Sequence, residues 1–344
     1  MTVLYTKKDF AQVQNYLQKV TQLNESSPLN PNYLLMRAFV LTISSRMRDR
    51  TEAETIFKKI AKENPSIRVT NSALIGLCNL YFEEYRIFNQ MEILDDIQPL
   101  VDHLRRNAKE SNSYSLLANT KLIQAKLALL KINMVEARKL LTEAQNIADK
   151  HDLQLLAGEI SREHDRLLDE LKLWESIKKT QASASERLEL ASVDKVIERL
   201  QGRRTIEPLE SGGQQPVSVL ILAAGGVLLF SYPFSDDWKQ DDDLFGSFLS
   251  AFLSFSDEFF SQGLDRAKFG EDTILLQPVG DFSICYLFKG QTYFAKRKLE
   301  KFAETIQKDP SIWETLEKFE KSSQVAELKD LPNMDKLLTN VFLN

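Results

Sequence analysis

The chain has 344 residues, long enough for two domains that each bury a core of their own. Its formal net charge of −5, with 44 Lys+Arg against 49 Asp+Glu, leaves no large basic surface and argues against nucleic acid as a main partner. Two cysteines, Cys78 and Cys285, stand in opposite halves within apolar runs. That spacing argues against a disulfide framework or a zinc site, so both are expected to be buried small hydrophobes in a reducing cytoplasm.

Glycine and phenylalanine divide the chain. Only Gly76 and Gly158, of 12 glycines, precede residue 200, and 15 of 20 phenylalanines follow it. Glycine is costly in helices and useful in strand turns, which predicts a helical front and a strand-bearing back. Residues 214–344 carry 13 Lys+Arg against 20 Asp+Glu, leaving the front near neutral with 31 against 29. The opening stretch Met1–Phe10 lacks the apolar core that a secretory signal requires.

In chain order, Phe10, Val13, Leu17 and Val20 predict an amphipathic helix over 7–23, ended by the segment Ser26–Pro31. Helices then come in pairs: 32–47 with 51–63, 68–87 with 90–108, and 112–131 with 134–149. A long helix over 152–180 and another over 184–201 follow. The clusters Arg46, Arg48, Arg50 and His103, Arg105, Arg106 read as solvated helix ends. His164 lies on the stripe Ile160, His164, Leu167, Leu171, Trp174, which predicts a histidine packed between helices rather than a ligand or base.

The pairs share a pattern. Ala53, Phe57, Ile60 and Pro65 recur at one spacing in the first pair, and Ala137, Leu141 and Ala144 in the third. Leu74, Leu77, Cys78 and Tyr81 mark the first helix of the second pair. In this pattern residues 1–180 resemble tetratricopeptide repeats, helix–turn–helix units of about 34 residues. The sequence departs from the motif at Ile60 (a large side chain at a small position), at Gln124 (usually leucine) and at Asp149 (usually proline). The second pair also needs an insertion of about three residues to fit the motif. The fourth pair fits poorly and reads as a degenerate repeat or a capping pair. The resemblance implies a continuous core and a concave face made mostly of first helices. In the motif's register Asn79, Glu83, Asn119 and Lys126 face that groove. Two readings follow: these residues grip a partner peptide, or they form a wet surface touched only by the chain's own tail.

Residues 202–216 have linker chemistry, which separates a helical-repeat domain (1–201) from an α/β domain (217–322) and a C-terminal tail (323–344). From Gln214 to Ser235 there is no charge, and the apolar run approaches the minimum for a membrane helix. Gly225-Gly226 at its centre, Pro233 near its end and strand-favouring Val217, Val219, Ile221 and Val227 predict instead a buried hairpin, Val217–Ala223 with Val227–Phe234, and no membrane span. The acidic loop Asp236–Asp243 precedes a helix over Leu244–Phe260, and Asp242 or Asp243 is the expected N-cap. The loop lacks the spacing and central glycine of a calcium-binding EF-hand, so no metal is expected. On that helix Phe245, Phe248, Leu249, Phe252, Phe255 and Phe259 form an apolar face, roughly 1.5–3 kcal/mol for each large side chain buried. Opposite lie Ser247, Ser250, Ala251 and Ser254, either a strip for close approach of a helix from a twin subunit or another protein, or a plain solvent face. Three more strands are predicted over Leu264–Phe269, Thr273–Val279 and Phe282–Lys289. Helices follow over 291–307 and 311–322, the latter opened by a capping box Ser311-Ile-Trp-Glu314. Residues 323–333 read as loose, and Asn333–Leu343 as a short docking helix.

Two strands, a helix, three strands and further helices, with runs such as Asp243–Phe252 and Phe282–Gly290, resemble the longin fold and its relative the roadblock fold. The combination resembles helical-repeat proteins with such a C-terminal domain from archaea related to eukaryotes. The expected fold class is therefore mainly α plus α+β: a tetratricopeptide-like solenoid, then a five-stranded antiparallel sheet with flanking helices. The resemblance implies regulation of small GTPases or assembly of trafficking-like complexes.

No phosphate loop, dinucleotide fingerprint, zinc-protease signature or nucleophile elbow occurs, so neither catalysis nor a cofactor is expected. The leading expectation is a cytoplasmic, non-enzymatic adaptor that binds protein partners, with a C-terminal domain that homodimerises or docks. The alternatives are a regulator of small GTPases and a sensor holding a small apolar ligand.

Overall fold

The computed structural model describes residues 30–42, 44, 46–63, 66–180, 182–202, 204–206, 214–223, 227–234, 266–322 and 324–343. The helix expected over 7–23, the acidic loop, and the helix expected over Leu244–Phe260 with Ser247, Ser250, Ala251 and Ser254 lie outside the described residues. The chain forms two compact units. One holds the residues up to 160 together with 172–208, the other 161–171 together with 209–344. The first is helical, and the second carries a five-stranded antiparallel sheet. Among the described residues no helix is long and apolar enough to cross a membrane.

In the first unit the described helices run α1 Pro31–Leu41, α2 Met47–Glu63, α3 Ile67–Phe88, α4 Ile93–Glu110, α5 Tyr114–Leu130, α6 Met134–Lys150, α7 Gln154–Asp169 (whose last turns belong to the second unit), α8 Leu171–Thr180, α9 Ala184–Ala191 and α10 Val193–Leu200. Local chemistry starts them. The Asn30 side chain accepts from the Asn32 N–H with Pro31 in the first turn, and Asn133 accepts from the Glu136 N–H at 3.1 Å. The turns after α3, α4, α5 and α6 each place one residue in the left-handed region: Asn89, Asn112, Ile132 and Asp152. Three of these have short polar side chains that tolerate it. Ile132 (φ 56°) is β-branched and does not.

Neighbouring helices bury alternate faces. Ala38, Ala53, Phe57, Ile60, Ala73 and Leu77 form one core across α1, α2 and α3. Gly76 owes its identity to this packing. A Cβ there would lie 2.6 Å from the Phe57 ring, so only glycine lets α2 and α3 approach so closely. Cys78 is fully buried, and burial pushes its thiol up to about 12.

Among the helices up to α10, three sequence expectations change. The helix expected over 32–47 stops at Leu41, where the Thr42 hydroxyl turns back to the Phe39 carbonyl and Ser44 accepts from the Arg46 N–H ahead of α2. The helix expected over 152–180 is divided at Glu170 into α7 and α8. The helix expected over 184–201 is divided at Ser192, whose φ of 49° ends one helix and opens the next.

In the second unit, β1 Gln215–Leu222, β2 Leu228–Pro233, β3 Arg266–Phe269, β4 Asp272–Val279 and β5 Phe282–Lys289 pair in the order β2-β1-β5-β4-β3, every pair antiparallel. The uncharged segment is thus a hairpin, with Val219 opposite Tyr232 and Ile221 opposite Phe230. Both faces of the sheet are apolar and buried. One carries Leu220, Leu222, Leu228, Ile274, Leu276, Cys285 and Leu287. The other packs Val219, Ile221, Phe230, Tyr286 and Phe288 against α11 Thr292–Lys308, α12 Pro310–Ser322 and α13 Met334–Leu338.

Residues 324–343 belong to this core. Phe342 is 1% exposed, with its ring centroid 4.5 Å from Tyr286 and 5.1 Å from Phe302. The Ala326 N–H donates to the Leu229 carbonyl at 2.7 Å and so occupies a free position on the β2 edge. The stretch 323–333, expected to be loose, holds a 3₁₀ turn over Leu328–Asp330 and buries Ala326 and Leu331. At α12 the expected capping box does not open the helix. Asp309 does, accepting from the Ser311 and Ile312 N–H groups at 3.0 and 3.4 Å with Pro310 as first residue.

Candidate functional site

The four groove residues expected from sequence lie on α3 and α5, the first helices of two successive pairs. Asn79 and Glu83 sit one turn apart on α3 and are half-buried. Asn119 and Lys126, two turns apart on α5, are 5% and 2% exposed. The face they mark is not open along its length, because α9 and α10 lie across both α3 and α5.

Apolar contact and charge hold that segment. From α9 come Ala184, Leu188 and Ala191, and from α10 Val193, Val196 and Ile197, all buried. Asp194 receives both oxygens' worth of hydrogen bonds from Arg86 Nη2, at 2.9 and 3.0 Å, and Arg86 also pairs with Glu83 at 3.6 Å. Arg199 reaches Asn119 Oδ1 through Nε at 3.1 Å and through Nη2, while its Nη1 pairs with Glu159 of α7. Asn119 is held for this by donating its own Nδ2 to the Ser115 carbonyl at 2.8 Å. A guanidinium cannot shed its charge, so burying Arg199 requires such a set of acceptors. At the other end Arg187 Nη1 meets the Met91 sulfur at 3.5 Å. Ahead of α9, Ser183 and Glu186 form a reciprocal capping box that holds the Glu186 carboxyl below its usual range.

The structure therefore joins Glu83 to the α10 segment through Arg86, and Asn119 directly through Arg199. Sequence reasoning missed Arg86, Glu159, Asp194 and Arg199. Arg199 and Asn119 lie 80 positions apart and Arg86 and Asp194 lie 108, so no local spacing signals either pair.

In the second unit a separate polar cluster gathers at the sheet edge. Arg266 of β3 is fully buried and donates through Nη1 to Asp165 at 3.2 Å and Ser161 at 3.3 Å. Asp165 also accepts from the Thr292 hydroxyl at 2.6 Å and from its N–H at 3.2 Å, which caps α11. Asp169 pairs with Lys268 beside them. Through these contacts Asp165 ties β3 to the start of α11 and supports the fold. His164 is 1% exposed within this segment.

Comparison with family models, curated proteins and solved structures finds no match to this chain.

Proposed function

We propose that this chain is a non-enzymatic protein-interaction adaptor. Its helical unit, a repeat array of the tetratricopeptide kind, binds helical protein segments on the face of α3 and α5. One observation carries this reading: that face holds a helical segment, residues 184–200, by an apolar strip flanked by arginine–carboxylate pairs. A surface built to receive a helix needs both elements, apolar area for affinity and placed charges for register.

The second unit, an antiparallel five-stranded sheet with α11, α12 and α13 on one face, supports the longin- or roadblock-like reading and with it a small GTPase as partner. Capture of partners on the full chain tests the adaptor function against a variant with Glu83→Lys and Arg86→Glu. Partners retained by the wild type and released by the variant are expected, and an unchanged set refutes the face. Candidate small GTPases are added to the same chain in a nucleotide-exchange assay. No binding and no change in rate discards the GTPase reading.

A further inference from the structure

The geometry points to residues 184–200 as a displaceable occupant of the α3–α5 face, and to a partner helix of the same chemistry as the ligand that replaces it. This inference rests on the proposed function and names its partner class. The recognised pattern is an amphipathic turn reading acidic-x-aliphatic-aliphatic-x-arginine, as in Asp194, Val196, Ile197 and Arg199. The acidic residue meets Arg86, the aliphatic pair enters the strip, and the arginine reaches Asn119 and Glu159.

Three observations make the segment the removable part. It is two helices of eight residues each, too short to hold helical structure without a surface beneath them. Its six buried residues include two alanines and no aromatic, whereas α3 alone buries eleven residues, among them Tyr81, Phe82 and Tyr85. Its joint, Ser192, sits at φ 49°, a conformation that costs a non-glycine residue and is relieved on release. Weakly buried, strained elements open before the core beneath them does. The segment remains in place because it is tethered, and its effective concentration at the face is high. A partner helix must outcompete that tether, so the segment sets a threshold for binding.

The test uses a labelled synthetic peptide of residues 183–201 as probe, with the full-length chain and a full-length Val196→Asp/Ile197→Asp variant. The peptide is expected to bind the variant at least ~10-fold more tightly than the wild type, whose face is filled by the tethered copy. The gain should vanish when the peptide carries Arg199→Glu, or when Glu159→Lys is added to the variant. Equal binding to wild type and variant, both melting cooperatively, overturns the inference. If the variant does not fold, hydrogen exchange of the wild type decides. Amides of 186–200 exchanging well ahead of those in α3 and α5 support release, and exchange in step with them overturns it. A wild-type dimer that disappears in the variant assigns the face to a second copy of this segment, and overturns the external partner. If the peptide fails while Glu83→Lys/Arg86→Glu still releases captured partners, the adaptor function stands and only displacement falls.

Discussion

Replacing Gly76 by alanine sets two effects of known sign against each other. Alanine in a helix interior is favoured over glycine by about 1 kcal/mol, so propensity alone predicts a more stable α3. Packing opposes it. The new Cβ would stand 2.6, 2.7 and 3.0 Å from three carbons of the Phe57 ring, closer than carbon atoms approach without displacement. Any shift of the ring disturbs packed neighbours, because it is fully buried and held edge-on to Phe39 with centroids 5.1 Å apart. Overpacking of this kind costs about 1–3 kcal/mol, so Gly76→Ala should be net destabilising by up to about 2 kcal/mol. Urea unfolding followed by far-UV circular dichroism measures it, with hydrogen exchange locating the loss in α2 and α3. In a Phe57→Leu background the obstruction is gone, and the same substitution should become neutral or stabilising by up to about 1 kcal/mol. A higher unfolding midpoint for Gly76→Ala alone would falsify the packing argument.

Ile132→Asn should raise the stability of the first unit by about 1 kcal/mol in the same assay, because it relieves a β-branched residue held at φ 56°. Asp165→Ala should cost the second unit about 3 kcal/mol in denaturant unfolding, since it strips a carboxylate from the buried Arg266 and the cap from α11; a loss under 1 kcal/mol would show the cluster to be incidental. Gly280→Ala should lower the melting temperature more than Gly270→Ala. Both glycines have positive φ, but only at Gly280 would the added Cβ also meet a side chain, Trp313 at 3.0 Å. The Ser311 hydroxyl and N–H groups hold the Asp309 carboxyl below its usual range, so its contribution is present above the ordinary value of 3.8 and lost as pH falls through the lower folded value. Asp309→Ala should therefore flatten the acid limb of the stability profile, and an unchanged slope would contradict the cap.

Much of this fold could be read from periodicity. The pairs α3–α4 and α5–α6 fall within a few residues of their predicted bounds because apolar residues recur at helical spacing over whole elements. The β1–β2 hairpin was legible because Gly225-Gly226 interrupts an uncharged run rich in β-branched residues. The break at Ser192 was not, since the sequence there holds neither glycine nor proline and tertiary contact selects the left-handed turn. The start of α12 was misplaced because Ser311 and Glu314 fit a capping box, while Asp309 followed by Pro310 offered a better one. At the candidate site no local signal points to the segment that packs on α3 and α5. Asn79, Glu83, Asn119 and Lys126 were expected from the register of the motif the sequence resembles, whereas Asp194 and Arg199, which reach Arg86 and Asn119, come from far along the chain.

Arginine marks where that reading runs out. A local reading treats an arginine in an amphipathic helix or a short strand as solvated charge, which suits most charged residues. Arg199 and Arg266 depart from it for one reason: each is a permanent charge taken out of water, and each brings a fixed set of acceptors with it. Arg199 is answered within the first unit by Glu159 and Asn119, and Arg266 within the second by Asp165 and Ser161. Their surroundings separate them. Arg266 is wholly enclosed and its carboxylate also caps α11, so its loss is paid in folding. Arg199 lies on a short segment with a small apolar footprint, bound to partners that would remain on α5 and α7 if it left. The same chemistry is a structural pin in one unit and a releasable contact in the other, and the area buried around each arginine decides which.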